Sequence, residues 1–123
     1  MSPRMRKTVD ELLEQARAKL RRVEPAEALQ AVEGGEAVLI DIRGKDQLES
    51  LGTIPGARWI ARNALEWRVD PPPQQRVILI CLQGFQSSLA AATLQELGCE
   101  DATDVIGGFE AWEAAGLPVE REA

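Results

Sequence analysis

The chemistry available to this 123-residue chain centres on Cys81. It closes the apolar run Arg76-Val-Ile-Leu-Ile-Cys81 and precedes Leu82, Gln83, Gly84, Phe85, Gln86 and Ser87, after which an alanine- and leucine-rich segment begins. A thiol at the end of a buried strand, in a short loop that Gly84 allows to bend, is faced by backbone N–H groups and by the positive end of the next helix. Such surroundings stabilise a thiolate and any anion attached to it, giving a nucleophilic sulfur in an anion cradle. The competing reading is a small strand-end thiol that only packs. The chain contains no histidine. That excludes Cys-His and Ser-His-Asp nucleophile systems and every histidine-ligated metal site. The second cysteine, Cys99, has neither a redox CxxC nor a zinc-ligand spacing to Cys81 and reads as a packed spare thiol.

Other polar residues stand where they could shape a pocket. Asp41 ends a second apolar run, and a carboxylate there needs loop N–H donors or a cation such as Arg43. Arg62 follows a short expected strand and could face a substrate, or pair with Glu66 one helical turn on. Ser87 and Ser88 open a helix, where a hydroxyl can cap the first turn or donate to a sulfur anion.

These residues need a frame, and the pattern supplies one. Thr8 and Glu11 have capping-box spacing, and Val9, Leu12, Leu13, Ala16 and Leu20 share one face, which predicts a helix over 9–20. Pro25 and the Gly34-Gly35 pair bracket a second helix. Residues 37–42 and 76–81 read as strands buried on both faces. Residues 44–52 are polar and predict a loop with at most one helical turn. A short strand over 58–61, a brief helix over 64–69, a helix over 87–97, a strand over 103–106 and a last helix over 109–115 complete the chain. Strands alternating with helices predict a parallel sheet covered on both faces. The expected core is Val38, Leu39, Ile40, Val77, Ile78, Leu79 and Ile80 under Leu89, Leu94 and Leu97, with Trp59 and Trp67 packed against the sheet and Trp112 anchoring the last helix.

Fourteen basic and twenty acidic side chains give a formal charge of -6. This balance disfavours a nucleic-acid partner, which demands a dense positive field. The positive charge is concentrated at the front, where residues 1–22 hold seven basic and three acidic groups. No stretch has membrane-spanning length, the basic opening runs into Asp10, Glu11 and Glu14 instead of an apolar segment, and cysteines are few, all of which point to the cytoplasm.

Four segments, Asp41-Ile-Arg43, Gly52-Thr-Ile-Pro-Gly-Ala57, Cys81-Leu-Gln-Gly-Phe-Gln-Ser87 and Gly107-Gly-Phe-Glu-Ala-Trp112, together resemble the rhodanese-like sulfurtransferase family in order and separation. The resemblance spans residues 22–119 as a rhodanese-like domain and leaves 1–21 as an N-terminal amphipathic helix. It implies a three-layer α/β/α fold with a five-stranded parallel sheet in the order 3-2-4-5-1. It further implies that Cys81 carries a sulfane sulfur, as a persulfide, from thiosulfate or a persulfide donor to a thiol or cyanide acceptor, which could be a protein thiol. Residues 82–87 then form the active-site loop, and no metal or organic cofactor is needed. The chain departs from the family at Gln86, where arginine or lysine is common, and at Thr53, where histidine is common. A loop without charge weakens thiosulfate as donor and leaves a non-catalytic binding or regulatory module as the alternative. Ser87 stands where phosphatases of the related cysteine, five residues, arginine type have their guanidinium, which argues against phosphate chemistry.

Overall fold

The computed structural model describes residues 6–121. In chain order the elements are α1 (Val9–Ala18), α2 (Pro25–Glu33), β1 (Ala37–Asp41), α3 (Lys45–Leu51), β2 (Arg58–Trp59), a 3-10 turn (Arg62–Ala64) running into α4 (Leu65–Arg68), β3 (Arg76–Ile80), α5 (Gln86–Glu96), β4 (Thr103–Asp104) and α6 (Gly108–Ala114). All strands pair in parallel, in the order β2-β1-β3-β4.

β1 and β3 form the centre, matched over five residue pairs from Ala37↔Arg76 to Asp41↔Ile80. Their side chains alternate between two cores. Ile40, Val77, Leu79 and Cys81 face one layer with Ala90, Ala91 and Leu94 of α5, while Leu39, Ile78 and Ile80 face the other with Ala28 of α2 and Phe109 and Trp112 of α6. This alternation aims Cys81 at the α5 side, since it extends the row of Val77 and Leu79.

The sheet has four strands, not the five that the family resemblance implies. The missing strand is a single parallel bridge of Val23 to Val105, in which Val23 N–H donates to Asp104 O at 3.1 Å and Ile106 N–H donates to Val23 O at 2.9 Å. With that bridge counted first, the order of neighbours is the implied one. A longer strand cannot form, because Glu24 already caps α2 and Pro25 at its first turn has no N–H for a ladder.

Three further expectations change. Residues 45–51 form the helix α3 instead of a loop, with Gln47 Oε1 accepting from Gly44 N–H at 3.2 Å and Ser50 Oγ donating to Asp46 O at 2.8 Å. Gln47, Leu48 and Leu51 are its partly buried residues, the two leucines standing three apart on one side. Trp59 and Trp67 are 45 % and 77 % exposed, because β2 is a two-residue edge strand and α4 is a single turn that buries Leu65. Leu97 lies beyond the last turn of α5 as its C-cap residue and is exposed, while Trp112 is fully buried. Among the described residues no helix is long and apolar enough to cross a membrane.

Candidate active site

Cys81 follows the last paired residue of β3, and the loop after it bends round the sulfur. Gly84 has φ +87°, and a Cβ there would meet Gly107 N at 2.9 Å, so a side chain would be both strained and crowded. Its N–H donates to Cys81 Sγ at 3.2 Å. Ser87, in the first turn of α5, donates its N–H to the same sulfur at 3.4 Å, and the thiol donates to Ser87 Oγ at 3.2 Å. Two of the loop's backbone donors thus converge on a thiol that is only 6 % exposed.

The outer side of the loop is held by α6. Phe109 N–H donates to Cys81 O at 2.8 Å and Glu110 N–H to Leu82 O at 3.0 Å. Such an approach needs glycine: Gly108 has φ +62°, and a Cβ on it would lie 2.5 Å from Cys81 O and 2.7 Å from Leu82 O. The Gly107-Gly108 pair is therefore part of the site, with its contribution made through backbone.

Behind the loop lies a polar cluster that sequence reasoning missed. Asp104 on β4 is fully buried and accepts from Ser87 Oγ and Ser88 Oγ, each at 2.7 Å, and from Arg22 Nε at 2.8 Å. Arg22 Nη2 also donates to Gly84 O at 3.1 Å, and Arg17 of α1 donates Nη2 to that carbonyl at 2.7 Å and Nε to Ser88 Oγ at 3.1 Å. The Arg17 guanidinium sits 5.6 Å from the centroid of the Phe85 ring. Burial first, and the neighbouring Arg22 next, lower the Arg17 pKa, while Asp104 and Cys81 raise it. The available signal was Asp104 itself, a carboxylate in a short strand before Val105 and Ile106, which has to find cations or donors once buried.

A pocket of about 260 Å³ opens over the sulfur, lined by residues that include Ile42, Gly44, Gln47, Phe85 and Gln86. Leu82 and Gln83 also line it, so six of the candidate residues, Cys81, Leu82, Gln83, Phe85, Gln86 and Arg43, border one cavity. Arg43 is the charged residue of that lining, but its side chain is fully buried. Its Nη2 donates to Asp41 Oδ2 at 2.7 Å and Gly52 O at 2.9 Å, and its guanidinium lies 3.9 Å from the centroid of the Phe109 ring. Asp41 also accepts from Arg43 N–H at 3.1 Å and stays out of the pocket lining. Trp59 braces the rim, donating Nε1–H to Arg43 O at 2.8 Å. Arg62 lies outside the pocket lining and pairs with Glu66 at 2.8 Å. No cluster of three or more histidine, cysteine or acidic groups able to hold a metal occurs among the described residues. A larger hollow, about 660 Å³ between α3 and Glu120, holds neither cysteine.

The rhodanese-like domain profile matches residues 24–115. The chain belongs to the rhodanese-like family. A thiosulfate sulfurtransferase, GlpE, of Pseudoalteromonas translucida is 34 % identical over 91 residues, covering 73 % of this chain and 86 % of the relative. GlpE of Actinobacillus succinogenes is 33 % identical over 80 % of this chain and 88 % of its own. Among solved structures, a Rhodopseudomonas palustris protein of unknown function, described as a possible tyrosine phosphatase, superposes with a TM-score of 0.86 at 29 % identity, covering 98 % of this chain and 99 % of its own. The polysulfide-sulfur transferase homodimer of Wolinella succinogenes gives 0.76 at 25 % identity over 90 % of this chain and 85 % of its own. Residues 81–87, with their uncharged Gln86, lie inside the matched segment.

Proposed function

We propose that this rhodanese-like protein is a sulfurtransferase in which Cys81 carries a sulfane sulfur between a donor and a thiol acceptor. The observation that carries the reading is the pair of N–H donors, from Gly84 and Ser87, aimed at Sγ on the floor of an open pocket. In the first step the Cys81 thiolate attacks the outer sulfur of a persulfide, the donor's S–S bond breaks, and its electron pair leaves on the donor thiolate, which takes up the proton that Cys81 gave up. With thiosulfate the leaving group is sulfite. In the second step an acceptor thiolate attacks the outer sulfur of the Cys81 persulfide, and the Cys81 thiolate departs. No net oxidation occurs and no cofactor is called for.

The charge of the pocket bears on the donor. Its cation, Arg43, is consumed by Asp41 and buried, and Gln86 offers at most neutral hydrogen bonds. A small dianion such as thiosulfate therefore meets backbone dipoles without a guanidinium partner, whereas a persulfide on a larger thiol brings its own contacts along the half-apolar lining of Ile42, Leu82 and Phe85. Persulfides are accordingly the better donors, and thiosulfate a weak one. Phosphate monoesters fit poorly, since Ser87 occupies the place of the arginine that clamps a phosphate.

Intact mass after exposure to thiosulfate or to a small persulfide tests the reading. The expected result is a gain of one sulfur atom that reductant removes and that C81A abolishes. An unchanged mass with every donor would sink it and leave a non-catalytic binding module.

A further inference from the structure

We propose that Arg17 and Arg22, which precede the matched domain, are positioning residues of the sulfur site: together they hold the Gly84 carbonyl away from the pocket and so present the Phe85 N–H to the outer sulfur of the persulfide. The proposal rests on the sulfurtransferase reading of Cys81.

The geometry starts from one carbonyl. Gly84 O accepts from Arg17 Nη2 at 2.7 Å, from Arg22 Nη2 at 3.1 Å and lies 3.2 Å from Ser88 Oγ. In a planar trans peptide the carbonyl and the following N–H point in opposite directions. Fixing Gly84 O against α1 thus turns the Phe85 N–H away from α1, toward the cavity that Phe85 and Cys81 line together. The Phe85 N–H has no hydrogen-bond acceptor among the described residues. Gly84 supplies the positive φ that lets its own N–H reach Sγ while its carbonyl reaches the arginines. A loop with this much glycine freedom has alternative peptide orientations, and an outward carbonyl has to be held there.

Two guanidinium groups on one carbonyl repel each other, and Asp104 explains why they stay. Its buried carboxylate pairs with Arg22 at 2.8 Å, so one of the two charges is compensated and the other remains behind the loop. That residual positive charge stands on the side of the loop opposite the pocket, where it favours an anionic sulfur without occupying space a donor needs. Arg17 also lies over the Phe85 ring, which ties the side chain and the carbonyl before it to the same cation. The matched family segment begins at residue 24, so both arginines lie before it. α1, through Arg17, thereby becomes part of the active site.

The test uses the full chain as wild type, R17A and R17K, with R17Q, which keeps the aliphatic stem without the charge, in place of R17A should that variant not fold. Two quantities are read: kcat and KM for glutathione persulfide with a small thiol acceptor, and backbone hydrogen exchange across residues 82–87. R17A is expected to lower kcat about tenfold, the factor that loss of one charge-assisted hydrogen bond converts to, with KM changed less than about twofold. Exchange over 82–87 should quicken, and R17K should recover most of both. An unchanged kcat in a folded R17A, or a loss that falls on KM alone, overturns the proposal, because Arg17 would then be structural or a donor contact. If the wild type takes up no sulfur, the sulfurtransferase reading fails by itself and exchange decides the clamp: quickened exchange in R17A sustains it, and unchanged exchange overturns it.

Discussion

Gln86 stands exposed on the pocket rim, and Arg62, the residue whose charge could have replaced that of a loop cation, is occupied by Glu66. Restoring a charge at 86 should therefore help a small dianion and little else. Q86R is expected to raise kcat/KM for thiosulfate about five- to tenfold, the gain of a charge-assisted over a neutral hydrogen bond, and to leave turnover of a larger persulfide nearly unchanged. R62A should stay within about twofold of wild type with either donor, because its guanidinium faces a carboxylate outside the pocket. Steady-state assays with C81A as the blank measure both. Cys99 is the third residue with a definite expectation. Burial, and then Asp70, raise its pKa, so less of it is thiolate near neutrality. In a C81A background, iodoacetamide should label Cys99 more slowly in the native than in the denatured protein. The sign for stability follows: the folded state keeps this proton longer, so the contribution is intact below the unfolded thiol value of about 8.5 and is lost as pH rises through the higher folded value. Urea melts of wild type and C99A across that range should diverge on the alkaline side.

The site is an arrangement of element ends, and its weakest tolerance lies where those ends touch. The first turn of α6 donates to the carbonyls of Cys81 and Leu82, and a methyl group at Gly108 would lie 2.5 Å from Cys81 O. G108A should both destabilise the protein, by about 1–3 kcal/mol, and lower sulfur transfer, because α6 can only relieve the clash by pushing the loop. Activity measured well below the melting transition separates the two effects. A variant that lost stability alone would mean that the loop is held without α6. The β1–α3 turn contains the other sensitive contact. Asp41 and Arg43 form an ion pair with side chains at most 3 % exposed, and D41A would strand the guanidinium in the core at a cost of about 3–5 kcal/mol in denaturant melts.

At the scale of the whole molecule, the sheet is stiff in the middle and short at both edges. β1 and β3 share five residue pairs between two packed layers, while β2 and β4 are paired over two residues each. Hydrogen exchange should accordingly be slowest at the amides of Leu39, Ile40, Ile78 and Leu79 and faster in β2, whose two residues are both exposed. Truncating Leu79, fully buried in the central strand, should cost about 2–5 kcal/mol in urea melts of L79A, and a loss below about 1 kcal/mol would contradict a central β3. α1 contributes to the same architecture from outside the matched segment, lying along α5 with Arg17 directed at the loop.

Much of this was legible in the residues alone. Two apolar runs ending in Asp41 and Cys81 can only be central parallel strands, and the spacing from Cys81 through Gly84 to Ser87 gave the loop its donors, because strand and helix periodicity and glycine's conformational range are local properties of the chain. The family resemblance rested on four short segments, and the order of neighbours in the sheet followed only from what that resemblance implies. What local pattern could not convey were relations between distant residues. Arg17 and Arg22 reach the Gly84 carbonyl from 67 and 62 positions away, and Asp104, 82 positions from Arg22, pairs with it behind the loop. The exposure of Trp59 and Trp67, the reduction of the first strand to Val23 and the helix in residues 45–51 likewise depend on which surface remains to be covered once the sheet is assembled. A buried charge announces that it needs a partner, but only the fold brings the partner to it.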